Sequence, residues 1–412
     1  HHMKRLIVLL AAGCLFAACT KPQPKPADND AANLPTSEAT PEPEPEPEPD
    51  KPADVKLGKL EPADSADQVR AIELIEKVTG FKFKQKIPVY VYTPEELEEE
   101  IRGWGDDGFS PENILGFYKP STKCLYMVPD AAGEKRQFGL RIHEATHGLQ
   151  DQLYDLAELH DKPKTTDQSL ALTALIEGEA VQVMIDAVVD EQPHVAFMTM
   201  YGAADMLAMP ENPDKPWSWA RLQRVFFYSD GARMVQDMKK VDGYKTVDKA
   251  FGDLPVSSEQ ILHTDKYLVE RDLPDEIGLD VVGIQEALPE GWKLGEPDTI
   301  GEIGTMVEFI DAGQVGKAVK AADGWGGDAY ITAKKGEDVL TIWVSTWDTA
   351  ADAKEFGEAV EALPDVLVSK WYDERPQQIV IRGKTGLLSK DQLQWLLDAT
   401  RQNKVVYDPE SR

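Results

Sequence analysis

The most constraining feature of this chain is a long apolar segment, 169–185, whose hydrophobic helical pattern is interrupted by two carboxylates. A helix that is apolar on all sides is expected to be buried, and a buried carboxylate is costly unless it is paired or bound to a metal. The two acidic residues are Glu177 and Glu179, and Gly178 lies between them. Glycine inside a helix costs about 1 kcal/mol relative to alanine, so Gly178 indicates a close approach by another part of the molecule. The segment therefore predicts a buried helix that presents a carboxylate to a partner.

A second helical pattern, 138–156, contains the sequence His-Glu-Ala-Thr-His at residues 143–147. Residues four apart on a helix share a face, so the imidazoles of His143 and His147 can reach one ion. Glu144 projects about 100° around the helix, beside that ion, where its carboxylate can take a proton from the attacking water. If the two helices pack antiparallel, Glu177 and His147 differ in axial height by roughly 6 Å. We therefore expect His143, His147 and Glu177 to bind one Zn²⁺ and to leave its fourth position open.

The motif at 143–147, followed by Glu177-Gly178-Glu179-Ala180, resembles the gluzincin metallopeptidases, in which two histidines and a glutamate from a later helix bind zinc. The resemblance covers roughly residues 65–240. It implies a zincin-like fold, hydrolysis of peptide bonds, and a general-base role for Glu144. The longer stretch 143–156 is also similar to bacterial envelope proteins that carry this zinc motif. Because the glycine-rich exopeptidase motif of the aminopeptidase branch is not evident, the expected activity is that of an endopeptidase.

Peptide hydrolysis of this kind also needs a hydrogen-bond donor to the oxyanion of the tetrahedral intermediate. Tyr228 is the first candidate, because the pattern Tyr-x-x-Gly at 228–231 resembles a tyrosine-bearing helix start in the aminopeptidase branch. The alternative for Tyr228 is simple packing with its neighbours Phe226 and Phe227. The weaker candidates for the donor are His194, Tyr201 and His263.

The sequence departs from the thermolysin-like members of this group at one position. In those proteins an aspartate four residues after the glutamate ligand orients a zinc-binding histidine, whereas this chain has Val181. Another side chain must therefore accept the second N–H of a histidine, and Asp151 and Asp167 are the candidates. Glu179 is two residues from Glu177 and should point elsewhere, toward solvent, a base or a partner chain.

The remaining periodicities predict an α+β chain with two folded parts. Residues 65–280 are expected to form the zincin-like domain, and residues 290–412 a smaller α+β domain of unknown role that contains a β-hairpin. The glycine-rich segment 324–328 lacks the spacing of a phosphate-binding loop, so we interpret it as a turn with a packed Trp. Cys124 is expected to be a buried strand cysteine and not a nucleophile.

The first 64 residues have no globular pattern. His1 and His2 precede Met3 and are interpreted as a tag remnant, and the basic and apolar run up to residue 18 is typical of a secretory signal. The small residues before Cys19 resemble a bacterial lipoprotein cleavage site, with Cys14 as the alternative acceptor of the lipid. Residues 19–64 are rich in Pro and Glu and predict an extended, disordered linker. We therefore expect an exported protein that an N-terminal lipid anchors in the bacterial cell envelope.

The formal net charge of −29 excludes nucleic acid as an expected partner, because such a surface repels phosphate. The expected partners are a protein or peptide substrate and, through the lipid, a membrane. Two functions stay open. The first is a zinc peptidase, which the intact Glu144 favours. The second is a non-catalytic lipoprotein that uses a zincin-like fold for binding or envelope assembly, which Val181 favours.

Overall fold

The computed structural model describes residues 59–62, 65–93, 95–97, 116–128, 134–189, 219–372 and 377–406. The predicted signal, the lipid acceptors Cys19 and Cys14, and the candidate donors His194 and Tyr201 lie outside these residues. Helices and strands are both abundant in the described part, which confirms the predicted α+β class. No helix of the described part is long and apolar enough to cross a membrane.

The first sheet has four strands in the order β1-β2-β4-β3. They are β1 Lys59–Glu61, β2 Val89–Val91, β3 Gly116–Lys119 and β4 Cys124–Met127. β2 runs parallel to β4, and the other neighbouring pairs are antiparallel. The linker was expected to be disordered to residue 64, and β1 corrects this prediction. The backbone of β1 pairs with β2, although the side chains of β1 carry no apolar pattern. Cys124 is free and buried in β4, and burial raises the pKa of its thiol, as expected for a structural cysteine.

Helices form most of the first half of the described chain. They are α1 Ala66–Thr79, α2 Glu134–Tyr154, α3 Leu156–His160, α4 Thr166–Val189, α5 Trp219–Arg224, the π-helical segment Val225–Asp230, α6 Gly231–Asp242, α7 Tyr244–Gly252, α8 Ser258–Leu262 and α9 Thr264–Leu268. α2 and α4 are the two helices predicted around the carboxylates and the histidines, and they pack against each other. The apolar stripe of α2 is buried at Ile142, Ala145 and Leu149, which turns the opposite side of this helix toward β3.

A five-stranded antiparallel sheet in the order β6-β7-β8-β10-β9 dominates the second half. The elements in chain order are β5 Glu276–Gly278, α10 Val281–Ala287, β6 Lys293–Leu294, α11 Gly301–Asp311, α12 Val315–Ala322, β7 Trp325–Lys335, β8 Asp338–Trp347, α13 Ala350–Val360, β9 Val366–Tyr372, β10 Gln377–Arg382, α14 Lys390–Thr400 and β11 Lys404–Val406. Trp325 is fully buried, as expected, but the segment after Gly324 is the start of β7 and not a turn. The final strand, β11, pairs with β5.

Both faces of the five-stranded sheet are buried, and alternate residues serve different cores. Trp343 of β8 and Val380 of β10 belong to a core that also contains residues of α2 and α4. Their neighbours Ile342, Val344 and Ile379 belong to a second core, covered by α10 and α14. The helices around 143–189 and the C-terminal sheet therefore share one hydrophobic core.

The junction between the two predicted domains is joined by hydrogen bonds as well as by this core. The carboxylate of Asp298 accepts hydrogen bonds from the backbone N–H and the hydroxyl of Thr166, at 2.8 and 2.6 Å, and so satisfies donors at the start of α4. The backbone N–H of Asp167 donates to the carbonyl of Thr299. The division near residues 280–290 stays a prediction, but it does not mark a gap in the packing. The C-terminal part instead fixes the start of the helix that carries Glu177.

Candidate metal centre

His143, His147 and Glu177 converge where α2 and α4 pack side by side. The Nε2 atoms of the two histidines are 3.2 Å apart. The Oε2 atom of Glu177 lies 3.2 Å from Nε2 of His143 and 3.5 Å from Nε2 of His147. All three side chains are buried. The packing of α2 against α4 thus brings together the three residues proposed as metal ligands.

The three distances match the spacing that one tetrahedral zinc ion requires. Zinc binds imidazole nitrogen and carboxylate oxygen at about 2.0–2.2 Å, so two ligands on one ion are separated by about 3.4 Å. Oε2 of Glu177 is buried, and no donor among the described residues meets it in good hydrogen-bonding geometry, although the two imidazole nitrogens are close. A buried carboxylate oxygen without a donor is costly, and a cation between the three atoms removes that cost. The donor set of two imidazoles and one carboxylate is also one that zinc accepts in catalytic sites.

The electrostatics of the cluster favour positive charge at this point. Burial alone would raise the pKa of Glu177, but the adjacent imidazoles outweigh it and hold this pKa at about 2. Burial alone would lower the pKa of His147, but the Glu177 carboxylate raises it to about 9. Glu177 is therefore an anion at neutral pH, and the space beside it attracts a cation.

Glu144 lies on the same helix but does not join the cluster of ligand atoms. Its side chain is 0% exposed, and its Oε2 accepts a hydrogen bond of 3.0 Å from the backbone N–H of Tyr118 in β3. The carboxylate of Glu144 also contributes to the raised pKa of His147, which places it close to the metal ligands. This position agrees with the predicted one, beside the candidate metal ligands, and the first sheet holds the carboxylate there.

Tyr228 is brought to the same site by the π-helical segment. Its ring centroid lies 6.1 Å from that of His143. Phe226 and Phe227 are buried in the core, and Tyr228 is half-buried and packs against the same core, so the packing alternative stays open beside its contact with His143. π-Helical turns are frequent at functional sites, because the extra residue changes the direction of the side chains. The role of Tyr228 as an oxyanion donor stays a prediction.

Directly after the π-helical segment, the chain crosses α4 at a contact between two glycines. A Cβ atom added to Gly178 of α4 would lie 2.2 Å from the carbonyl carbon of Gly231, at the start of α6. A Cβ atom added to Gly231 would lie 2.1 Å from the carbonyl oxygen of Ala174. The two helices therefore cross with their backbones in contact, which is the close approach that Gly178 predicted. This crossing lies next to Glu177 in the chain and three residues after Tyr228.

The structure corrects the residue that was expected to orient a histidine in place of Val181. Nδ1 of His147 is 2.8 Å from Oε1 of Gln150. The amide nitrogen of Gln150 donates to the carbonyl of Ile176 and to Oε2 of Glu179, both at 2.9 Å. With both amide hydrogens used in this way, Oε1 faces the imidazole and accepts from Nδ1–H, which leaves Nε2 for a metal. Gln150 lies three residues from His147 and on its face of the helix, a spacing that sequence reasoning passed over.

The two aspartates proposed for this task serve other contacts. Asp151 accepts hydrogen bonds from the hydroxyl of Tyr118, at 2.6 Å, and from the ammonium of Lys123. Asp167 accepts a hydrogen bond from the backbone N–H of Ser258, at 3.0 Å. Their hydrogen bonds join them to Tyr118, Lys123 and Ser258, whereas Nδ1 of His147 meets Gln150. The candidate donor His263 is also placed elsewhere, beside Glu302.

Glu179 differs from its predicted environment. It was expected to meet solvent, a base or a partner chain, but it is buried and contacts the amide of Gln150. Burial raises the pKa of Glu179 to about 7. The reason is that α4 is buried around its middle, so Glu177 and Glu179 both face the interior, one toward the imidazole nitrogens and one toward Gln150.

Removal of the Gln150 amide is expected to weaken zinc binding by about 10–100-fold, the usual effect of losing the partner of a metal-binding histidine. Gln150→Met keeps a side chain of similar length but cannot accept from Nδ1 of His147. The measurement is a zinc competition titration against a chromophoric chelator, on protein whose fold is checked by circular dichroism. Asp151→Asn is the control and should leave the zinc affinity unchanged. Equal weakening in both variants would contradict a specific role for Gln150.

Fold and site together define an α+β protein with a buried His-His-Glu cluster that could hold a metal ion. Residues 292–394 match the model of a family described as a domain of unknown function, DUF8575. The match runs from β6 into α14, so it contains all strands of the five-stranded sheet and does not include the candidate metal centre. No match was found among curated proteins or among solved structures.

Proposed function

We propose that this chain is a zinc-dependent peptidase with a zincin-like fold in residues 65–280. The observation that supports it most is the buried Oε2 of Glu177, which no donor among the described residues meets in good hydrogen-bonding geometry and which faces two imidazole nitrogens at 3.2 and 3.5 Å. His143, His147 and Glu177 would hold Zn²⁺, which supplies Lewis acidity for the hydrolysis of an amide.

The chain's own groups would then divide the proton transfers. The Glu144 carboxylate takes a proton from the attacking water and passes it to the leaving amine. The N–H of Tyr118 keeps this carboxylate at one position, because it donates to Oε2 of Glu144. The Tyr228 hydroxyl is the candidate donor to the oxyanion, since its ring lies beside His143. Proteins or peptides are the proposed substrates, and the bacterial cell envelope, through a lipid on Cys19, is the proposed location.

One observation favours a second candidate, a non-catalytic lipoprotein that binds zinc or a partner. The carboxylate of Glu144 is fully buried and is already engaged by the N–H of Tyr118. A protein that only holds the ion has no need for a substrate to reach this carboxylate. The two candidates share the metal centre and differ in whether Glu144 changes a reaction rate.

The proposed metal centre is tested by exchanging the two glutamates of α4, Glu177 and Glu179, separately for glutamine. Glu177→Gln is expected to lose stoichiometric zinc, because the amide cannot supply an anionic ligand between the imidazoles. Glu179→Gln is the matched control and should keep zinc, since its amide oxygen can still accept from Gln150. Metal content by inductively coupled plasma mass spectrometry, after dialysis against free Zn²⁺ and gel filtration, gives the result. Zinc loss in Glu179→Gln alone would overturn the assignment of the ligand.

A further inference from the structure

A second group of potential metal ligands lies outside the centre described above. His263 stands between α8 and α9, Glu302 is in the first turn of α11, and Asp323 directly follows α12. One ligand atom from each lies within 4.8 Å of the others. Nε2 of His263 is 3.1 Å from Oε1 of Glu302, a separation that suits two ligands of one ion.

Glu302 is the residue that points to a ligand. It is only 2% exposed, and its Oε2 atom is buried without a hydrogen-bond partner among the described residues. No Lys or Arg in the described part of the chain forms an ion pair with Glu302 or Asp323. Burial raises the pKa of Glu302, which reflects the cost of its negative charge at this position. The carboxylate is therefore short of positive charge.

A neighbouring acidic cluster shows how the same fold satisfies carboxylates when an ammonium is present. Glu259, Asp272 and Asp348 surround the Lys266 ammonium, with N–O distances of 2.7, 2.9 and 2.6 Å. This cluster also has the spacing of a metal site, but the lysine already supplies the cation. Among the described residues Glu302 forms its one ion pair with His263, which is positive only when protonated. The Lys266 ammonium also lowers the pKa of Glu302, but less than burial raises it.

We propose that His263, Glu302 and Asp323 form a binding site for a divalent transition-metal cation. One imidazole and two carboxylates suit Zn²⁺ or Mn²⁺ better than Mg²⁺ or Ca²⁺, which prefer oxygen alone. Asp323 is exposed and His263 is partly exposed, so an ion can reach the buried Glu302 from solvent. An ion at this place ties the α8–α9 corner to the start of α11 and the end of α12. It is thus a structural link between the helices of the metal centre and the C-terminal sheet.

The test counts zinc ions per chain and uses Zn²⁺ alone as the probe. Isothermal titration in 150 mM NaCl is expected to give two equivalents for the wild type and one for Glu177→Gln. Asp323→Asn, at an exposed position that tolerates the change, should bind the ion of this site at least tenfold more weakly, and Glu302→Gln should abolish it. Asp265→Asn removes a nearby exposed carboxylate and is the charge-matched control; it should keep both equivalents.

The outcomes for the two sites are separable. If one equivalent binds and only Glu177→Gln removes it, the site at Glu302 does not exist and His263 is simply an ion-pair partner. If one equivalent binds and it is lost in Asp323→Asn and Glu302→Gln but not in Glu177→Gln, this site is supported and the proposed peptidase centre fails. Equal losses in Asp323→Asn and Asp265→Asn would also overturn the proposal, because they indicate diffuse attraction by surface charge.

Discussion

Replacement of Glu144 by glutamine is expected to lower the hydrolysis of an unstructured protein by about 10²–10⁴-fold, the usual effect of losing a general base. The amide cannot take a proton from water at neutral pH. In the wild type, the backbone N–H of Tyr118 donates a hydrogen bond of 3.0 Å to Oε2 of Glu144. The amide oxygen of the variant can still accept this hydrogen bond. The fold and bound zinc should therefore be retained, and the thermal stability should stay within about 1 kcal/mol of the wild type.

The measurement is the initial rate of casein cleavage, or of a peptide library, with zinc content determined on the same sample. Glu158→Gln is the matched control, because the carboxylate of Glu158 is largely exposed on α3. This variant should cleave casein at the wild-type rate. Equal cleavage by wild type and Glu144→Gln would assign the activity to another site or a contaminant. No cleavage by a zinc-loaded wild type would favour the non-catalytic lipoprotein.

The second large effect is expected from Gly178→Ala. The added methyl group would lie 2.2 Å from the carbonyl carbon and 2.4 Å from the carbonyl oxygen of Gly231, where no backbone can yield without moving a helix. Overpacking of this kind typically costs about 1–3 kcal/mol, and contact with backbone places Gly178 at the upper end of that range. Because Glu177 and Tyr228 flank the crossing, separation of α4 from α6 should also weaken zinc binding.

Thermal and urea unfolding, followed by zinc titration, measure both consequences. Gly316→Ala is the control: it lies in α12, and a Cβ there meets nothing within 4 Å. The control should be neutral or more stable by up to about 1 kcal/mol, because alanine favours the helix. A Gly178→Ala protein as stable as the control would mean that the two helices do not cross at this contact.

Much of the candidate metal centre could be predicted from local spacing. The four-residue interval between His143 and His147 fixes them on one face of α2 whatever surrounds the helix. The apolar pattern of 169–185 requires burial, and burial requires that Glu177 find a cation or a donor. Gly178 predicts a close approach because no other residue leaves room for backbone contact. Each of these conclusions needs only the helical period and the cost of burying charge.

The partner of His147 could not be predicted in the same way. Gln150 and Asp151 lie three and four residues after His147, so both fall near its face of the helix. The choice is made by neighbours far away in sequence: Tyr118 and Lys123 engage Asp151, while the carbonyl of Ile176 orients the amide of Gln150. Spacing on one helix carries no information about these neighbours.

The sequence by itself determined the α+β class, the two facing helices and the identity of the three residues that converge between them. Only the tertiary structure decided which side chain supports His147 and that Glu179 is buried. It also brought Glu302 into contact with His263, which is 39 residues away in the chain. It also decided that the C-terminal sheet shares a core with α2 and α4. The physical reason is that helix periodicity and burial act within a segment, whereas hydrogen-bond partners and shared cores depend on how distant segments pack.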